Sequence, residues 1–312
     1  MREHTRLPHF TDGADDIGQS KWNSMITMAV SPIYTVRTRP GASPGDACDC
    51  GMQRRSFFMR DLANTVILLT GGANGIGREC ASAYVREGAQ VAILDRDHNA
   101  VRQAMSELGS SVIGISADVS DGSAVAHAIK QVIAHFGRID AVHNNAGIST
   151  PSKPLHETSE EEWNIVQSIN LKSVFWTTKH AFSALAASRG TILNTASMVG
   201  VIGQENHAAY VATKGGMIAL TKAMAADYAR YSIRVNAICP AGVWTPMLEQ
   251  WCSEQPNPSA IAEYLDDIHL LGFCPRGDVI ADAAVFLLSR KARFITGCIL
   301  PVSGGAEIGY RR

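Results

Sequence analysis

The chain has 312 residues and a formal net charge of −1; 46% of its residues are hydrophobic and 18% are charged. This composition is typical of a soluble globular protein with a large core, and the near-neutral charge excludes a general attraction to nucleic acid or to anionic membrane surfaces. No apolar run approaches the ~18 residues that a membrane-spanning helix needs. We therefore expect neither nucleic acid nor a membrane among its partners.

Residues 1–58 differ in character from the rest of the chain. They contain several prolines and glycines and show no sustained helical or strand periodicity. We expect a disordered N-terminal extension over 1–58 and one folded domain over 59–312, with Met59 as a candidate alternative start.

The cysteines are scattered along the sequence and odd in number. They are Cys48, Cys50, Cys80, Cys239, Cys252, Cys274 and Cys298. The pattern contains no Cys-x-x-Cys pair and no cluster at zinc spacing, so it predicts neither a disulfide framework nor a metal site. It favours a reduced, cytoplasmic setting.

The first predicted elements are a strand, a glycine-rich turn and a helix. Thr65–Leu69 is a continuous apolar run, typical of a strand buried on both faces, and residues 78–87 have helical character. Between them, Gly71, Gly75 and Gly77 follow a Gly-x-x-x-Gly-x-Gly spacing rather than Gly-x-Gly-x-x-Gly. Such a turn allows a helix N-terminus to receive a pyrophosphate, although a glycine turn alone is equally compatible with a plain loop.

The second predicted strand, Gln90–Leu94, ends at Asp95. A carboxylate at this strand end can accept hydrogen bonds from an adenosine ribose and would repel a 2′-phosphate, which favours NAD over NADP. The neighbouring Arg96 keeps NADP possible, since a guanidinium tolerates the phosphate.

Strands and helices alternate through the rest of the chain. Residues 111–115, 141–143, 191–194, 234–238 and 298–302 are predicted strands, and residues 124–136, 160–187 and 208–228 are predicted helices. The strand at 234–238 is expected to break at Pro240. The alternation predicts an α/β fold: a single doubly wound Rossmann-type domain whose parallel sheet of about seven strands has helices on both faces.

Three polar residues stand out within these elements. His143 lacks nearby ligand partners in sequence, and we interpret it as a histidine packed inside its strand. Asn170 lies on the apolar side of its helix, where a buried amide must find partners. Ser197 follows shortly after a predicted strand.

Tyr210 and Lys214 are four residues apart on an alanine-rich segment, so a helix places them on one face. A phenol ordinarily loses its proton near pH ~10, and a fixed ammonium beside it favours the phenolate. The pair alone is also typical of an ordinary surface helix, so its meaning depends on the surrounding motifs.

Together these motifs closely resemble those of the short-chain dehydrogenase/reductase family, over about residues 62–306. The matching positions, in family order, are Thr70-Gly71-x-x-x-Gly75-Ile76-Gly77, Asp118, Asn144-Asn145-Ala146-Gly147, Asn170, Ser197 and Tyr210-x-x-x-Lys214. The sequence departs from the family pattern in two places: the segment Asn194-Thr195-Ala196 before Ser197 lacks the second serine that is frequent there, and Ala241 stands where glycine usually follows the proline.

The resemblance implies a role for each catalytic residue. Tyr210 would be the general acid/base, and Lys214 would lower its pKa and bind the nicotinamide ribose. Ser197 would hold the substrate oxygen, and Asn170 would kink its helix and support a water that leads protons away from Lys214.

The resemblance also implies a nicotinamide cofactor and its contacts. Asp118 and Val119 would lie along the adenine, Asn144 and Gly147 beside the ribose, and Val243 and Thr245 near the carboxamide. The full set of implied cofactor contacts is Gly71, Asn74, Gly75, Ile76, Gly77, Asp95, Asp118, Val119, Asn144, Ala146, Gly147, Tyr210, Lys214, Pro240, Val243 and Thr245.

The implied activity is hydride transfer that interconverts a secondary alcohol and a ketone, with NAD preferred and NADP possible. A catalytically weak, NAD(H)-binding redox sensor on the same fold is the alternative. The resemblance places a substrate lid at residues 245–276, whose apolar residues either line a pocket or pack onto the body of the protein. It also implies a homotetramer or homodimer formed through residues 160–187 and 208–230.

Overall fold

A sheet of seven parallel strands lies at the centre of the structure, a computed structural model that describes residues 60–149, 153–253 and 257–309. The strand order is β3-β2-β1-β4-β5-β6-β7. The strands are β1 (Val66–Thr70), β2 (Gln90–Asp95), β3 (Val112–Ser116), β4 (Ala141–Asn144), β5 (Thr191–Thr195), β6 (Arg234–Pro240) and β7 (Ile299–Val302). The extension predicted to be disordered, 1–58, lies outside the described residues.

Helices connect the strands. They are α1 (Gly75–Arg86), α2 (His98–Leu108), α3 (Gly122–Phe136), α4 (Glu160–Gln167), α5 (Ser173–Ser188), α6 (Val199–Ile202), α7 (Ala208–Tyr228), α8 (Pro246–Ser253), α9 (Pro258–Asp267) and α10 (Asp278–Leu288). A π-helical segment, Ser168–Lys172, joins α4 to α5, so the long helix predicted over 160–187 is interrupted. None of the helices in the described part of the chain is long and apolar enough to cross a membrane.

The sheet separates two apolar cores, and β1 contributes to both of them. Ile67 and Leu69 pack in the core that also holds residues of α1, α2 and α10, whereas Val66 and Leu68 pack with α3, α5 and α7. Successive side chains of a strand point to opposite faces, so a strand covered on both sides must be apolar at every position. This explains the continuous apolar run and confirms the predicted fold class.

The element bounds differ from the predictions at two functionally important places. Helix α1 begins at Gly75, three residues before the predicted start, because the glycines of the turn enter its first turn. Strand β6 includes Pro240 as its last residue instead of ending at Ile238. Proline is tolerated there because a terminal strand position does not have to donate a ladder hydrogen bond.

The strand order changes direction between β1 and β4, which is the point where connections leave the sheet toward opposite faces. All strands are parallel, so their carboxyl ends meet at one edge. That edge carries the glycine turn after β1, Asp95, the loop after Asn144 and Ser197 after β5. The topology therefore assembles distant sequence motifs in one place.

Leu69 offers a test of the two-sided burial of β1. It is fully buried, so Leu69→Ala should lower the free energy of unfolding by about 2–5 kcal/mol. Phe294, which is 99% exposed, is the matched control, and Phe294→Ala should change stability by less than about 0.5 kcal/mol. Denaturant unfolding measures both; similar small losses for the two variants would contradict the described packing.

Candidate active site

Glycines bring the turn after β1, the start of α1 and the loop after β4 into close contact. Gly71 has φ +62°, and a Cβ there would lie 2.8 Å from the Cα of Ala146. A Cβ on Gly77 would lie 1.9 Å from the Gly71 carbonyl oxygen and 2.7 Å from the Asn145 amide nitrogen. Side chains at these positions would force the backbone segments apart, which explains the need for glycine.

The N-terminus of α1 is arranged to receive an anion. Asn74 is the N-cap residue of α1, but its side chain accepts no hydrogen bond from a backbone N–H of the helix. Asp97, the N-cap residue of α2, differs: its carboxylate accepts from the backbone N–H groups of Asn99 and Ala100. Uncapped N–H groups and the helix dipole together favour a phosphate. Ile76 is half-buried and packs against the first core.

Asp95 is held against the glycine turn. One carboxylate oxygen accepts a hydrogen bond from the Ala73 backbone N–H at 3.1 Å, and the other accepts from the Asp97 N–H at 3.2 Å. The neighbouring Arg96 is exposed and extends no described bond into the turn. The negative charge at the end of β2 is therefore fixed in the position where the sequence predicted a ribose contact.

The residues predicted to lie along an adenine differ in character. Asp118 is exposed, and its carboxylate accepts from the backbone N–H and the hydroxyl of Ser120 at 2.8 and 2.7 Å. Val119 is 6% exposed and packs in the second core. Both follow β3 at the same edge of the sheet.

The Asn144 side chain is bonded inside the protein, and the ribose contact that the resemblance implied for this residue stays a prediction. Asn144 is buried, its amide N–H donates to Asn194 at 2.9 Å, and its amide oxygen accepts from the Thr177 hydroxyl at 2.6 Å. The side chain therefore ties β4 to β5 and α5. Only the backbone of Asn144 remains for a ligand.

Asn145, the next residue, has a structural role that the sequence did not reveal. Its side-chain N–H groups donate to the carbonyl oxygens of Gly71 at 3.1 Å and Thr70 at 3.3 Å. The Thr70 hydroxyl in turn accepts from the backbone N–H groups of Asn145 and Ala146. These four bonds fasten the loop after β4 to the glycine turn.

Asn170 lies inside the π-helical segment and is fully buried. Its side chain donates to the Ile148 carbonyl oxygen at 2.9 Å and to the Thr213 hydroxyl at 3.2 Å, and it accepts from the Ile148 N–H at 2.9 Å. The amide thus links the loop after β4 to helix α7. The predicted local helix distortion is confirmed, and π-helical turns are frequent at functional sites.

Tyr210 stands beside Ser197 at the start of α7. The hydrogen bond with the Ser197 side chain lowers the Tyr210 pKa, but burial of the hydroxyl outweighs it and raises that pKa to about 12. Lys214 Nζ lies 5.6 Å from the centroid of the Tyr210 ring. The spacing of Tyr210 and Lys214 predicted a lowered Tyr210 pKa; in this structure desolvation opposes the phenolate more strongly than its neighbours favour it.

Lys214 is 3% exposed, and its ammonium donates to the Thr195 carbonyl oxygen at 2.8 Å. Burial lowers the Lys214 pKa to about 8, although the nearby Cys239 acts in the opposite direction. A Cβ on Gly147 would lie 3.6 Å from Nζ and 3.4 Å from the Asn170 side-chain oxygen. Gly147, Asn170 and Lys214 therefore meet, as their predicted roles require.

Short helix α6 packs directly on α7. A Cβ on Gly200 would lie 2.7 Å from the Lys214 backbone carbon. Ser197 precedes α6, and its hydroxyl lies 3.5 Å from the Pro240 carbonyl oxygen and accepts from the Val199 N–H at 3.4 Å. This backbone-to-backbone approach fixes the Ser197 loop relative to Tyr210 and Lys214.

The segment after β6 closes over the other side of the site. The Pro240 carbonyl oxygen accepts from the Met198 N–H at 2.9 Å, and Val243 is buried. The side chain of Thr245 lies 3.3 Å from the position of a Cβ on Gly75. The β6 loop and the glycine turn therefore face each other across the start of α1.

The predicted lid residues divide between packing and exposure. Trp244, Leu248 and Trp251 pack in a small separate cluster around the buried Cys252, Leu265 and Cys274. Tyr264, Leu271 and Phe273 remain more than half exposed. The segment predicted as a lid therefore has an apolar cluster of its own, and part of its aromatic and aliphatic surface is exposed.

In the described part of the chain, no group of three or more His, Cys, Asp or Glu side chains is arranged to hold a metal ion. His143 is a buried strand histidine, as the sequence analysis interpreted it. Burial lowers the His143 pKa to about 3.

Comparison with known proteins identifies the family of this site. A family model described as enoyl-(acyl carrier protein) reductase matches residues 71–307, more than half of the chain. The chain belongs to the short-chain dehydrogenase/reductase family. An L-fucose dehydrogenase from Bos taurus is 40% identical over 250 residues, which cover 80% of this chain and 92% of that protein.

Solved structures of family members agree with this assignment. The crystal structure of levodione reductase superposes with a TM-score of 0.77 at 32% identity, covering 80% of this chain and all of the other. A 3-ketoacyl-(acyl-carrier-protein) reductase from Brucella melitensis, crystallised with NADH, gives a TM-score of 0.73 at 30% identity over 79% of this chain and 100% of that chain. The family and this NADH complex imply a nicotinamide cofactor.

The buried charge of Lys214 predicts a pH-dependent stability. The folded pKa of about 8 lies below the ordinary value of 10.5, so folding disfavours the charged form and this penalty is complete below pH 8. Between pH 8 and 10.5 the unfolded chain keeps a proton that the folded chain has lost, and stability rises relative to a variant without the amine. Over this pH window the free energy of unfolding of the wild type should therefore rise by up to roughly 3 kcal/mol relative to that of Lys214→Met.

Denaturant unfolding of wild type and Lys214→Met, measured in parallel from pH 7 to 10, tests this expectation, because other titrating groups cancel in the difference. A difference that stays constant across the window would show that Lys214 keeps an ordinary pKa in the folded state.

Proposed function

We propose that this protein is an NAD-dependent dehydrogenase that interconverts a secondary alcohol and a ketone, with NADP as a weaker substitute. The observation that carries the proposal is the convergence of Ser197, Tyr210 and Lys214: a serine hydroxyl bonded to a half-buried tyrosine, with a buried amine on the same helix. This arrangement suits proton exchange with an oxygen atom on a neighbouring carbon. The redox-sensor alternative shares the fold but predicts no turnover.

The glycine turn, the uncapped start of α1 and the Asp95 carboxylate fit a dinucleotide. In the proposal, the first-turn N–H groups at Gly75, Ile76 and Gly77 would hold the phosphates and Asp95 would hold the adenosine ribose. The nicotinamide, when bound, supplies or accepts the hydride. The protein's own contribution is orientation and proton transfer.

Tyr210 acts as the acid in the reducing direction. A phenol whose pKa is about 12 is protonated at neutral pH, so it can donate its proton to the oxygen of a ketone. Ser197 holds the same oxygen, and Lys214 has N–H groups beyond the one given to Thr195 with which to bind a ribose hydroxyl. Asn170 holds the loop after β4 against helix α7 through its hydrogen bonds to Ile148 and Thr213.

In the proposal, the substrate is a small-molecule alcohol or ketone. The relatives described above act, by their names, on L-fucose and levodione. A substrate panel should therefore contain aldoses, cyclic diols and cyclic diketones, each assayed with NAD(H) and NADP(H).

We further infer a homotetramer, or failing that a homodimer, paired through α4, α5 and α7. Ile165 and Phe175 support this inference, since both are large apolar residues that are 44% and 49% exposed on the helical surface. A reduced, cytoplasmic location is proposed from the scattered cysteines, of which the five in the described part of the chain are free thiols.

Removal of the Tyr210 hydroxyl tests the proposed chemistry. Tyr210→Phe keeps the ring but removes the group that exchanges the proton, so kcat should fall by about 10²–10⁴-fold with any substrate found in the panel. NADH binding, measured by fluorescence titration, should change less than about threefold. Phe182→Leu, away from the site, is the control for general damage.

Retention of more than a tenth of wild-type kcat in Tyr210→Phe would show that another group moves the proton. NADH binding without turnover across the whole panel by the wild type would favour the redox sensor.

Cofactor choice is tested at Asp95. Asp95→Asn keeps an amide oxygen for the Ala73 N–H but removes the negative charge. The ratio of kcat/KM for NAD over NADP should fall by about tenfold or more, which corresponds to about 1.4 kcal/mol of lost repulsion. Asp97→Asn, which alters a charge at the cap of α2, is the matched control and should leave the ratio within about twofold. An unchanged ratio in Asp95→Asn would refute the role of this carboxylate.

A further inference from the structure

A continuous chain of buried side-chain hydrogen bonds runs through the sheet behind the glycine turn. Tyr84 Oη lies 2.8 Å from His143 Nδ1, and His143 Nε2 lies 2.9 Å from Thr195 Oγ1. The Thr195 hydroxyl donates to the Asn145 side-chain oxygen at 3.3 Å. Tyr84 and His143 are fully buried, and Thr195 is 6% exposed. The proposed reaction uses none of these three side chains.

The direction of each hydrogen bond follows from the end of the chain that lies at the glycine turn. Both N–H groups of the Asn145 side chain point to carbonyl oxygens, those of Thr70 and Gly71, so its oxygen is necessarily the acceptor from Thr195. A hydroxyl has a single proton to donate. The contact between His143 and Thr195 is therefore a donation from Nε2–H to Oγ1.

The same reasoning fixes the tautomer of His143. With the proton on Nε2, a neutral imidazole has an unprotonated Nδ1, which accepts from the Tyr84 hydroxyl. Burial favours this neutral form, since it lowers the His143 pKa to about 3. The chain of bonds is thus static over the physiological pH range, and it orients groups rather than moving protons.

The Thr195 and Asn145 end of this chain touches the groups that the proposed function assigns to cofactor binding. Asn145 holds the carbonyl oxygens of Thr70 and Gly71, and the first turn of α1 rests on the Gly71 carbonyl, as the absence of space for a Gly77 Cβ shows. The backbone carbonyl oxygen of Thr195 accepts a hydrogen bond from the Lys214 ammonium at 2.8 Å. Thr195 therefore joins the glycine turn to the active-site amine.

An apolar residue would serve if position 143 were needed only to fill space, as Ala141 and Val142 do in the same strand. A buried polar network with every member satisfied instead fixes one arrangement of its groups. We propose that His143 is a positioning residue for the cofactor: its Nε2–H, through Thr195 and Asn145, holds the glycine turn in the conformation that receives the dinucleotide phosphates. This inference rests on the proposed function.

The test compares four variants by NADH fluorescence titration and by thermal unfolding. His143→Leu removes both bonds of the imidazole, while His143→Gln supplies one acceptor and one donor. Tyr84→Phe breaks the chain on the far side of His143 and leaves the Nε2–H bond intact. Thr195→Val removes the hydroxyl but keeps the carbonyl that binds Lys214.

We expect His143→Leu and Thr195→Val each to raise the Kd for NADH by about three- to tenfold, the range for loss of one buried hydrogen bond. The double variant should bind no more weakly than the weaker single variant, since the two changes break one chain. His143→Gln should stay within about twofold of wild type. Tyr84→Phe should lower the melting temperature and leave the Kd within about twofold.

A purely structural role for His143 gives a different pattern. In that case His143→Leu and Tyr84→Phe would both lower the melting temperature without changing the Kd, or would weaken NADH binding equally, and either result overturns the inference. If His143→Leu does not fold, the Kd values of Thr195→Val and His143→Gln for NADH test the inference instead. An unchanged Kd in Thr195→Val would refute the proposed chain of hydrogen bonds. Failure of the wild type to bind NADH would instead refute the proposed function.

Discussion

The hydrogen bond from the Lys214 ammonium to the Thr195 carbonyl oxygen is the interaction on which the arrangement of the site depends. It joins helix α7, which carries Tyr210, to the carboxyl end of β5, at the sheet edge where the glycine turn also lies. A buried ammonium needs such a partner because desolvation strongly disfavours an isolated charge. The position of the amine therefore constrains β5, α7 and the loop between them at once.

This constraint opposes stability and supports function. Burial lowers the Lys214 pKa and raises that of Tyr210, so both side chains are held in an environment that disfavours their charged forms. Groups with such perturbed pKa values are typical of sites that exchange protons. The free energy that these buried polar groups cost is offset by the two apolar cores, and β1 contributes side chains to both of them.

Much of the fold could be predicted from local sequence patterns. The apolar run of β1 and the alternation of strands and helices are local signals of a parallel sheet, and the motif order identified the family. The signals for α2 and α10 were weaker; Asp97, which caps α2 through two backbone N–H groups, is the residue that would have revealed the first. The early start of α1 was missed because glycine is a poor helix former.

Parts of the site depend on tertiary surroundings that no local pattern contains. The motif that contains Asn144 does not show that its amide bonds to Asn194 and Thr177 inside the protein. The direction of the Tyr210 pKa was mispredicted because helical spacing reveals a neighbouring lysine but not the extent of desolvation. The roles of Asn145 and Thr195 emerge only when strands 50 residues apart in sequence are placed side by side.

The close approach of α6 to α7 has a consequence for which positions of this scaffold tolerate substitution. Because Gly200 rests on the backbone of Lys214, the Ser197 loop is located by main-chain contact and not by the size of neighbouring side chains. Val201 and Ile202, on the same short helix, are 56% and 51% exposed. Substitutions of these two exposed side chains can therefore leave the Ser197 hydroxyl in its place.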